Sequence, residues 1–435
     1  MPVLSVLAYK VRVAVTGVVG ALMFIIPAPP GHVGGLGGAG LDHHEATTVR
    51  PPTSGRVVAG AGLFSVACTA KGSCTAGGNY QAAGRQIEPM IATQSRGRWS
   101  RGTPLVLPAG AAAQPYAQVN GIACRSAGNC VAVGDYQYGR SRNLQAFIAT
   151  EARGKWARAF TPRLPADASS PASAQLEAVA CTRDGSCAAV GSYQDSSGNA
   201  QTMVLAKPPA GPWRQATEIA SPPNAAANPD AFMTGIACSD PGTCVAVGNY
   251  SVSPTQFAAM GAVESRGAWR RATEIAAPRG AIASTFTAIT SISCLPAGPC
   301  LGAGQYAVSA TQSRAMVVTE ALGRFGRASA ITAVPPNAST HPSSYLLGVS
   351  CRPSGVCFAV GGGRNRAGHS VAMYLVRSGG RWQASFLNSA DGATTGPRQL
   401  SVLNAVSCTT LAHCSAVGYY HDQRGAGHAE AASTR

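Results

Sequence analysis

The chain of 435 residues is 46% hydrophobic and long enough to bury a large core. Its net charge of +16 is carried almost wholly by arginine although only 12% of residues are charged, which leaves anionic polymers open as partners: phosphorylated wall glycan, lipid headgroups or nucleic acid. No run of five or more basic residues occurs, so a basic arm for specific nucleic-acid binding is excluded, and the arginines read as solvated strand edges and turns.

The first residues stand apart from the rest. Lys10 and Arg12 precede a short apolar run, Val13 to Ile26, which is followed by Pro, Gly and other small residues. That is the layout of a secretory signal peptide, and the run is too short to span a bilayer comfortably. Residues 1–27 therefore predict a signal peptide or, because no A-x-A cleavage site is visible, an uncleaved N-terminal anchor, and residues 28–42 predict a Gly/Pro-rich linker. No later segment approaches the ~18 continuous apolar residues of a span, so membrane association is expected only through that N-terminal segment.

Residues 43–435 form one repeating domain. Cysteine pairs begin at Cys68, Cys124, Cys181, Cys238, Cys294, Cys351 and Cys408, a period of 56 or 57 residues by subtraction. Units of this length cannot bury their apolar faces alone and must stack in a solenoid or a ring. Each pair is closed at C-x5-C by Cys74, Cys130, Cys187, Cys244, Cys300, Cys357 and Cys414, with none of the 14 cysteines left over. In a chain with a signal sequence, such fully paired cysteines read as disulfides. Zinc ligation is the rival, but each unit offers two cysteines and no histidine at fixed spacing where zinc takes four ligands. No cofactor is expected.

The unit around Cys181 predicts four short strands: Leu176 to Thr182, Cys187 to Gln194, Gln201 to Ala206 and Trp213 to Ile219. Glycine is fourth of the five residues between the cysteines in six copies (Gly72, Gly128, Gly185, Gly242, Gly298, Gly355), as a three-residue hairpin loop with one positive φ requires. The hairpin sets the two cysteines opposite each other, and a bridge closing so small a loop contributes about 2 kcal/mol. A second hairpin carries Gly, one residue, then an aromatic: Trp99, Trp156, Trp213, Trp269, Phe325 and Trp382. The residue before each first cysteine is always Ala or Ser. Small residues at one edge of a repeat and tryptophan at the other fit sheets that radiate from an axis, with narrow gaps inside and wide ones outside. The fold expected is all-β, a seven-bladed β-propeller of four-stranded blades with the first strand innermost.

The C-terminus supplies only three strands of the last blade. Ala216 and Ala272 precede the next first cysteine by 22 residues, as Ala46 precedes Cys68, so residues 43–51 are expected to supply the outer strand of blade seven and close the ring. This closure would gather His43, His44, His413, His421 and His428 in one blade, where a metal or pH-sensitive site is conceivable beside the plainer reading of polar seam residues.

With its C-x5-C-x-A-V-G-x-Y strand pair and G-x-W hairpin, the sequence resembles secreted bacterial repeat proteins with BNR or sialidase-like β-propellers, over about residues 43–433. S-x-D-x-G-x-x-W is not present and only G-x-W remains. The resemblance implies a site built from an arginine cluster, a tyrosine and an acidic partner, and no such set is assigned here. Glu151, Glu264 and Glu320 share one repeat position and Glu218 and Glu274 another, so both groups are expected to be solvated or paired with arginine. No G-x-S-x-G, H-E-x-x-H, P-loop or dinucleotide fingerprint is present. Recognition is expected on the rim opposite the cysteine turns, where long connections display Tyr116, Phe232, Phe286 and Tyr345.

The function expected is that of an exported, disulfide-stapled, monomeric propeller acting as a non-enzymatic binding or scaffold protein for an extracellular protein, a glycan or an anionic cell-wall polymer, secreted or attached to the envelope. The alternative is a hydrolase or lyase acting on extracellular glycan at the axis of the long-loop rim.

Overall fold

The computed structural model describes residues 46–434 except 54–59, 83–85, 114, 141–142, 283–285, 297, 389, 391–392, 395–398 and 411–412. The expected signal peptide or anchor, the linker, His43 and His44 lie outside the described residues. Seven antiparallel sheets follow one another along the chain, each running first strand, second strand, third strand and outer strand, with no helix among the described residues. First strands of neighbouring blades touch all the way round, including the first blade against the seventh, so the ring is closed.

Closure occurs where the sequence places it. Thr47–Val49 pairs antiparallel with Gly427–Ser433, in the register Thr47 to Ala431, Thr48 to Glu430 and Val49 to Ala429. Blade seven thus takes its outer strand from the start of the described chain and its inner three, Ser401–Thr410, His413–His421 and Gly427–Ser433, from the end. Such a seam leaves no unpaired sheet face at either terminus.

Every first strand carries a β-bulge, at Leu63/Ser65, Val119/Gly121, Leu176/Ala178, Met233/Gly235, Ile289/Ser291, Leu346/Gly348 and Leu403/Ala405. The glycine of V-G-x-Y on the second strand faces this bulge; a Cβ on Gly191 would overlap the Gln175 carbonyl oxygen, which is why the motif admits no side chain there. The bulges carry the crowding predicted near the axis. A Cβ on Gly121 would lie 2.9 Å from Ala178 Cα of the next blade.

The core lies between blades rather than within them. One cluster joins Leu63, Tyr80 and Met90 of blade one to Val417, Ala429 and Ala431 of blade seven, and Trp99 packs against its edge half-buried. The other tryptophans and Phe325 cap equivalent clusters, so the G-x-W aromatic closes the wide outer end of each gap. Outer strands are shorter than the sequence suggests. In blade three only Thr217–Glu218 forms an outer strand, and the segment around Trp213, which follows the prolines at 208, 209 and 212, is tied to the third strand by the Arg214 amide on Ala206 O at 2.9 Å.

All seven cysteine pairs form local disulfides with Cα–Cα distances of 3.9 to 4.1 Å, as the opposed register requires. The turn between them departs from expectation in two ways. A three-residue loop holds in blades three, five and six, where Thr182, Leu295 and Arg352 accept the loop-closing amide of Gly185, Gly298 and Gly355. In blades one, two, four and seven a further bulge after the first cysteine lets Ala70, Ser126, Asp240 and Thr410 pair with Ser73, Asn129, Thr243 and His413 across a shorter turn. Gly298 also lacks the positive φ found at the other five glycines, because Pro299 follows it and confines the preceding residue to extended backbone.

Candidate functional site

The two rims of the ring differ in chemistry. On the cysteine rim the two hairpin turns of a blade are tied to each other: Gly97 donates its amide to Gly72 O at 3.0 Å, Gly154 to Gly128 at 2.9 Å and Gly267 to Gly242 at 3.0 Å. The second hairpins turn through two successive positive-φ residues, Arg96 and Gly97, Arg153 and Gly154, Arg266 and Gly267, Leu322 and Gly323, Gly379 and Gly380. Asn, Asp or Gly suits the first of these positions, and a long L side chain there costs about 1–2 kcal/mol. Three blades nevertheless hold an arginine at the tip, with φ of 50, 51 and 53°. Arg98, Lys155 and Arg324 follow the turn glycine, and Lys71, Arg125 and Arg183 stand on the neighbouring cysteine turns; all are exposed. The exposed acids of this rim are Asp184 and Asp240. Asp184 is bound within its own turn by Thr182 Oγ1 and the Ser186 amide, which hold its carboxyl below the usual range.

Beneath the cations lie Glu151, Glu264 and Glu320, and here the expectation of solvated or arginine-paired carboxylates fails. They are 8%, 6% and 6% exposed, and among the described residues none has an ion-pair partner. Each packs beside the second cysteine of its blade, where Cys300 is in register with Glu320. Burial raises the pKa of Glu151 and Glu264, while Glu320 accepts the Gly323 amide at 2.8 Å. Glu218 and Glu274 are exposed, and Glu274 accepts from Asn224 Nδ2 at 2.7 Å and from the Tyr250 hydroxyl at 3.0 Å.

A repeated arginine that sequence reasoning left among solvated residues has a structural task. Two residues after the aromatic, Arg101, Arg158, Arg271 and Arg327 donate to Pro51, Leu107, Ser221 and Ala277 carbonyls at 2.8 to 3.0 Å, clamping the strand leaving the preceding blade. The legible signal was the extended spacing G-x-W-x-R.

At the axis the bulge residues Phe64, Asn120, Glu177, Thr234, Thr290, Leu347 and Asn404 surround a cavity of about 170 Å³ with no arginine in its lining. Four of them donate to the next blade: Asn120 to Leu176 O, Thr234 to Ile289 O, Thr290 to Leu346 O and Asn404 to Leu63 O, at 2.6 to 3.0 Å. The polar identity of these positions therefore serves the ring itself. Toward the loop rim, Asp135 Oδ1 accepts from Asn120 at 2.7 Å and from Gln118 at 3.4 Å, and the Tyr116 hydroxyl donates to Gln118 at 3.4 Å. Burial and the Asp135 charge raise the Tyr116 pKa, so the group there is a neutral phenol. The variable residue between Gly and Tyr of the second strand is buried as Asp135, Ser192, Asn249 and Gln305.

Of the rim aromatics, Phe232 and Tyr345 are 9% and 8% exposed and Tyr116 and Phe286 are half-buried. Phe286 lies 6.5 Å from Phe257, and Tyr345 folds over Gly362, with no room there for a Cβ. Of the expected group, the described His413, His421 and His428 are not all brought together. His413 stands at the cysteine turn, whereas His421 and His428 are at the opposite end of blade seven, where His428 Nε2 lies 3.0 Å from Asp422. Among the described residues no three His, Cys, Asp or Glu side chains are grouped so as to hold a metal ion, and no helix is long and apolar enough to cross a membrane.

No family model matches the chain, and no curated protein matches it. Among solved structures it is similar to Trypanosoma rangeli sialidase in complex with sialic acid, at 10% identity and a TM-score of 0.46, covering 89% of this chain and 57% of that one. It is also similar to a Hadza microbial sialidase, at 10% identity and a TM-score of 0.43 over 75% and 66% of the two chains. A protein of unknown function from Dyadobacter fermentans matches at 11% identity and a TM-score of 0.43 over 76% of this chain and 97% of that one. The chain thus spans little more than half the length of the Trypanosoma sialidase. Seven disulfides fit an oxidising compartment.

Proposed function

We propose that the protein is an exported, monomeric, non-enzymatic binding or scaffold protein of the cell envelope that lays its cysteine rim on an anionic, phosphate-bearing wall polymer. The observation that carries this reading is the arginine at three positive-φ turn tips, Arg96, Arg153 and Arg266, where the backbone favours Asn or Gly. A local rule broken in three blades points to a use for the charge, and the bond that ties the two turns of each of these three blades together fixes those charges in space. The half-buried tryptophans offer no stacking platform on this rim, which supports a polymer gripped by its backbone charge over single-stranded nucleic acid. The disulfides and the N-terminal segment support a place outside the cytoplasm.

The test is retention of the full chain on immobilised polyglycerol phosphate across a salt gradient. The combined variant Arg96→Asn, Arg153→Asn and Arg266→Asn should elute at clearly lower salt while melting higher than the parent, because asparagine suits the turn. Elution at unchanged salt would sink the proposal. Turnover of any member of a polysaccharide panel, abolished by Asp135→Asn or Glu177→Gln, would replace it with an enzyme acting at the axis.

A further inference from the structure

Six second strands end in a tyrosine, Tyr80, Tyr136, Tyr193, Tyr250, Tyr306 and Tyr420, and none is more than 3% exposed. The ring fills the gap between blades and its hydroxyl reaches a polar group beyond: Tyr136 with Thr161 at 2.6 Å, Tyr193 to Asp167 at 2.9 Å, Tyr250 to Asn224 at 2.8 Å, Tyr420 with Thr48 at 2.8 Å. Blade six has Gly363 at this position, in register with Val371 as Tyr250 is with Ala258. The outer-strand residue that meets the hydroxyl elsewhere is changed as well. Glu274 and Thr48 are in register with Met260 and Glu430, and Phe386 is the one in register with Met373.

The missing ring leaves space. A cavity of about 140 Å³ opens there, floored by Gly363, Met373, Phe386 and Ile331 and flanked by Arg314 and Arg364. A Cβ on Gly363 would already lie 3.2 Å from Phe386 and 3.3 Å from Met373, so these side chains have closed on part of the void but have not filled it. An apolar void of about 150 Å³ is of the size that stays dry and takes up a benzene ring. No Asp or Glu lines this one. Neither arginine is ion-paired with a described residue; Arg314 is exposed and Arg364 half-buried beside the opening. A slot floored by apolar side chains, lined also by Thr332, Ser343 and Ser344 and flanked by two guanidiniums and no carboxylate, is complementary to a small ring bearing one anionic group.

We propose that the vacant tyrosine position of blade six is a binding pocket for a small aromatic carboxylate, its ring between Met373, Ile331 and Phe386 and its carboxylate on Arg314 and Arg364. The tyrosines of the other blades show what fits: a single phenyl ring inserted between blades. The two arginines take the place of the hydroxyl's partners and shift the preference from a neutral phenol to an anion. The pocket is separate from the cysteine rim and its occupancy does not depend on the polymer reading.

Benzoate and p-cresol are the probes, titrated into the full chain and followed by the methyl resonances of Met373 and Ile331. Benzoate should give saturable shifts confined to these methyls, with a Kd of about 1 mM for so small a ligand. Arg314→Gln and Arg364→Gln should each weaken benzoate by about tenfold, the worth of one charge-assisted contact, and leave p-cresol unchanged. Gly363→Tyr should abolish both and raise the melting temperature; should that variant not fold, the arginine variants decide the matter alone. The proposal is overturned if benzoate shifts neither methyl at about 10 mM, if its affinity ignores both arginine substitutions, or if p-cresol binds more tightly than benzoate.

Discussion

At the third-strand residue facing the glycine of V-G-x-Y, blades one to six place Met90, Phe147, Met203, Met260, Met316 and Met373, each at most 1% exposed, whereas blade seven places Glu430, which is fully buried. Its Oε1 accepts the Ala390 amide at 3.0 Å, and Oε2 has no partner among the described residues. Desolvation pushes its pKa up to about 7. Glu430 is also the register partner of Thr48 in the closing strand. Blades one to six therefore place an apolar side chain at this buried position, and blade seven, whose outer strand comes from the other end of the described chain, places a titratable one.

The largest effect should come from removing the closing strand. Deleting residues 46–51 strips blade seven of Val49, which is 1% exposed, and leaves the third strand as an open edge. Urea unfolding followed by tryptophan fluorescence should lose its single cooperative transition. A midpoint and slope equal to the parent's would mean that the ring closes without this strand.

Exchanging the residues that distinguish the blades comes next. Met316→Glu should destabilise by about 3–5 kcal/mol, since blade five offers no equivalent of the Ala390 amide. Glu430→Met should stabilise by about 2–3 kcal/mol at pH 8, where the wild-type carboxylate is charged and buried. Equal and small effects at both sites would show the two seams to be alike.

The same residue should make the seam pH-dependent. Its folded pKa of about 7 lies above the ordinary 4.5, so the folded state binds more protons between those values, and stability is greatest below 4.5 and is lost as pH rises to about 7. The shift amounts to about 3 kcal/mol. Asp422, held near 2 by His428, and His421, lowered by burial, act in the opposite direction at acid pH, so the quantity to measure is the difference between wild type and Glu430→Gln from pH 4 to 8. Parallel curves would remove Glu430 as the source.

The fold was almost fully legible because its determinants are local and repeated: a cysteine at fixed offset, a glycine in a turn, a small residue before Cys181 and an aromatic after Gly211. Even closure could be read, since Ala46 keeps the offset of Ala216 and Ala272. The site was legible only where copies differ, and there the meaning depends on neighbours in space. Gly363 in place of tyrosine is visible in the sequence, but that a cavity flanked by Arg314 opens behind it follows from strands some 50 residues apart. Glu151 carries no mark of burial in its own sequence, because its depth is set by Cys130 and Trp156 packing around it.

The smallest effect concerns the serine that precedes the first cysteine in blades five, six and seven. Ser293, Ser350 and Ser407 Oγ accept the amides of Cys351, Cys408 and Cys68 in the next blade at 3.0, 3.1 and 3.0 Å, while the other four blades have alanine and no such bond. Ser350 bridges blade six to blade seven, and Ser407 bridges blade seven to blade one. Each serine to alanine change should lose about 1 kcal/mol, the net value of one hydrogen bond. If the closing seam opens first on unfolding, the loss at Ser407 should appear mainly in the unfolding rate, and that at Ser350 should be divided between both rates. Identical partitioning in stopped-flow measurements would indicate that blade seven separates from blade one no earlier than blade six separates from blade seven.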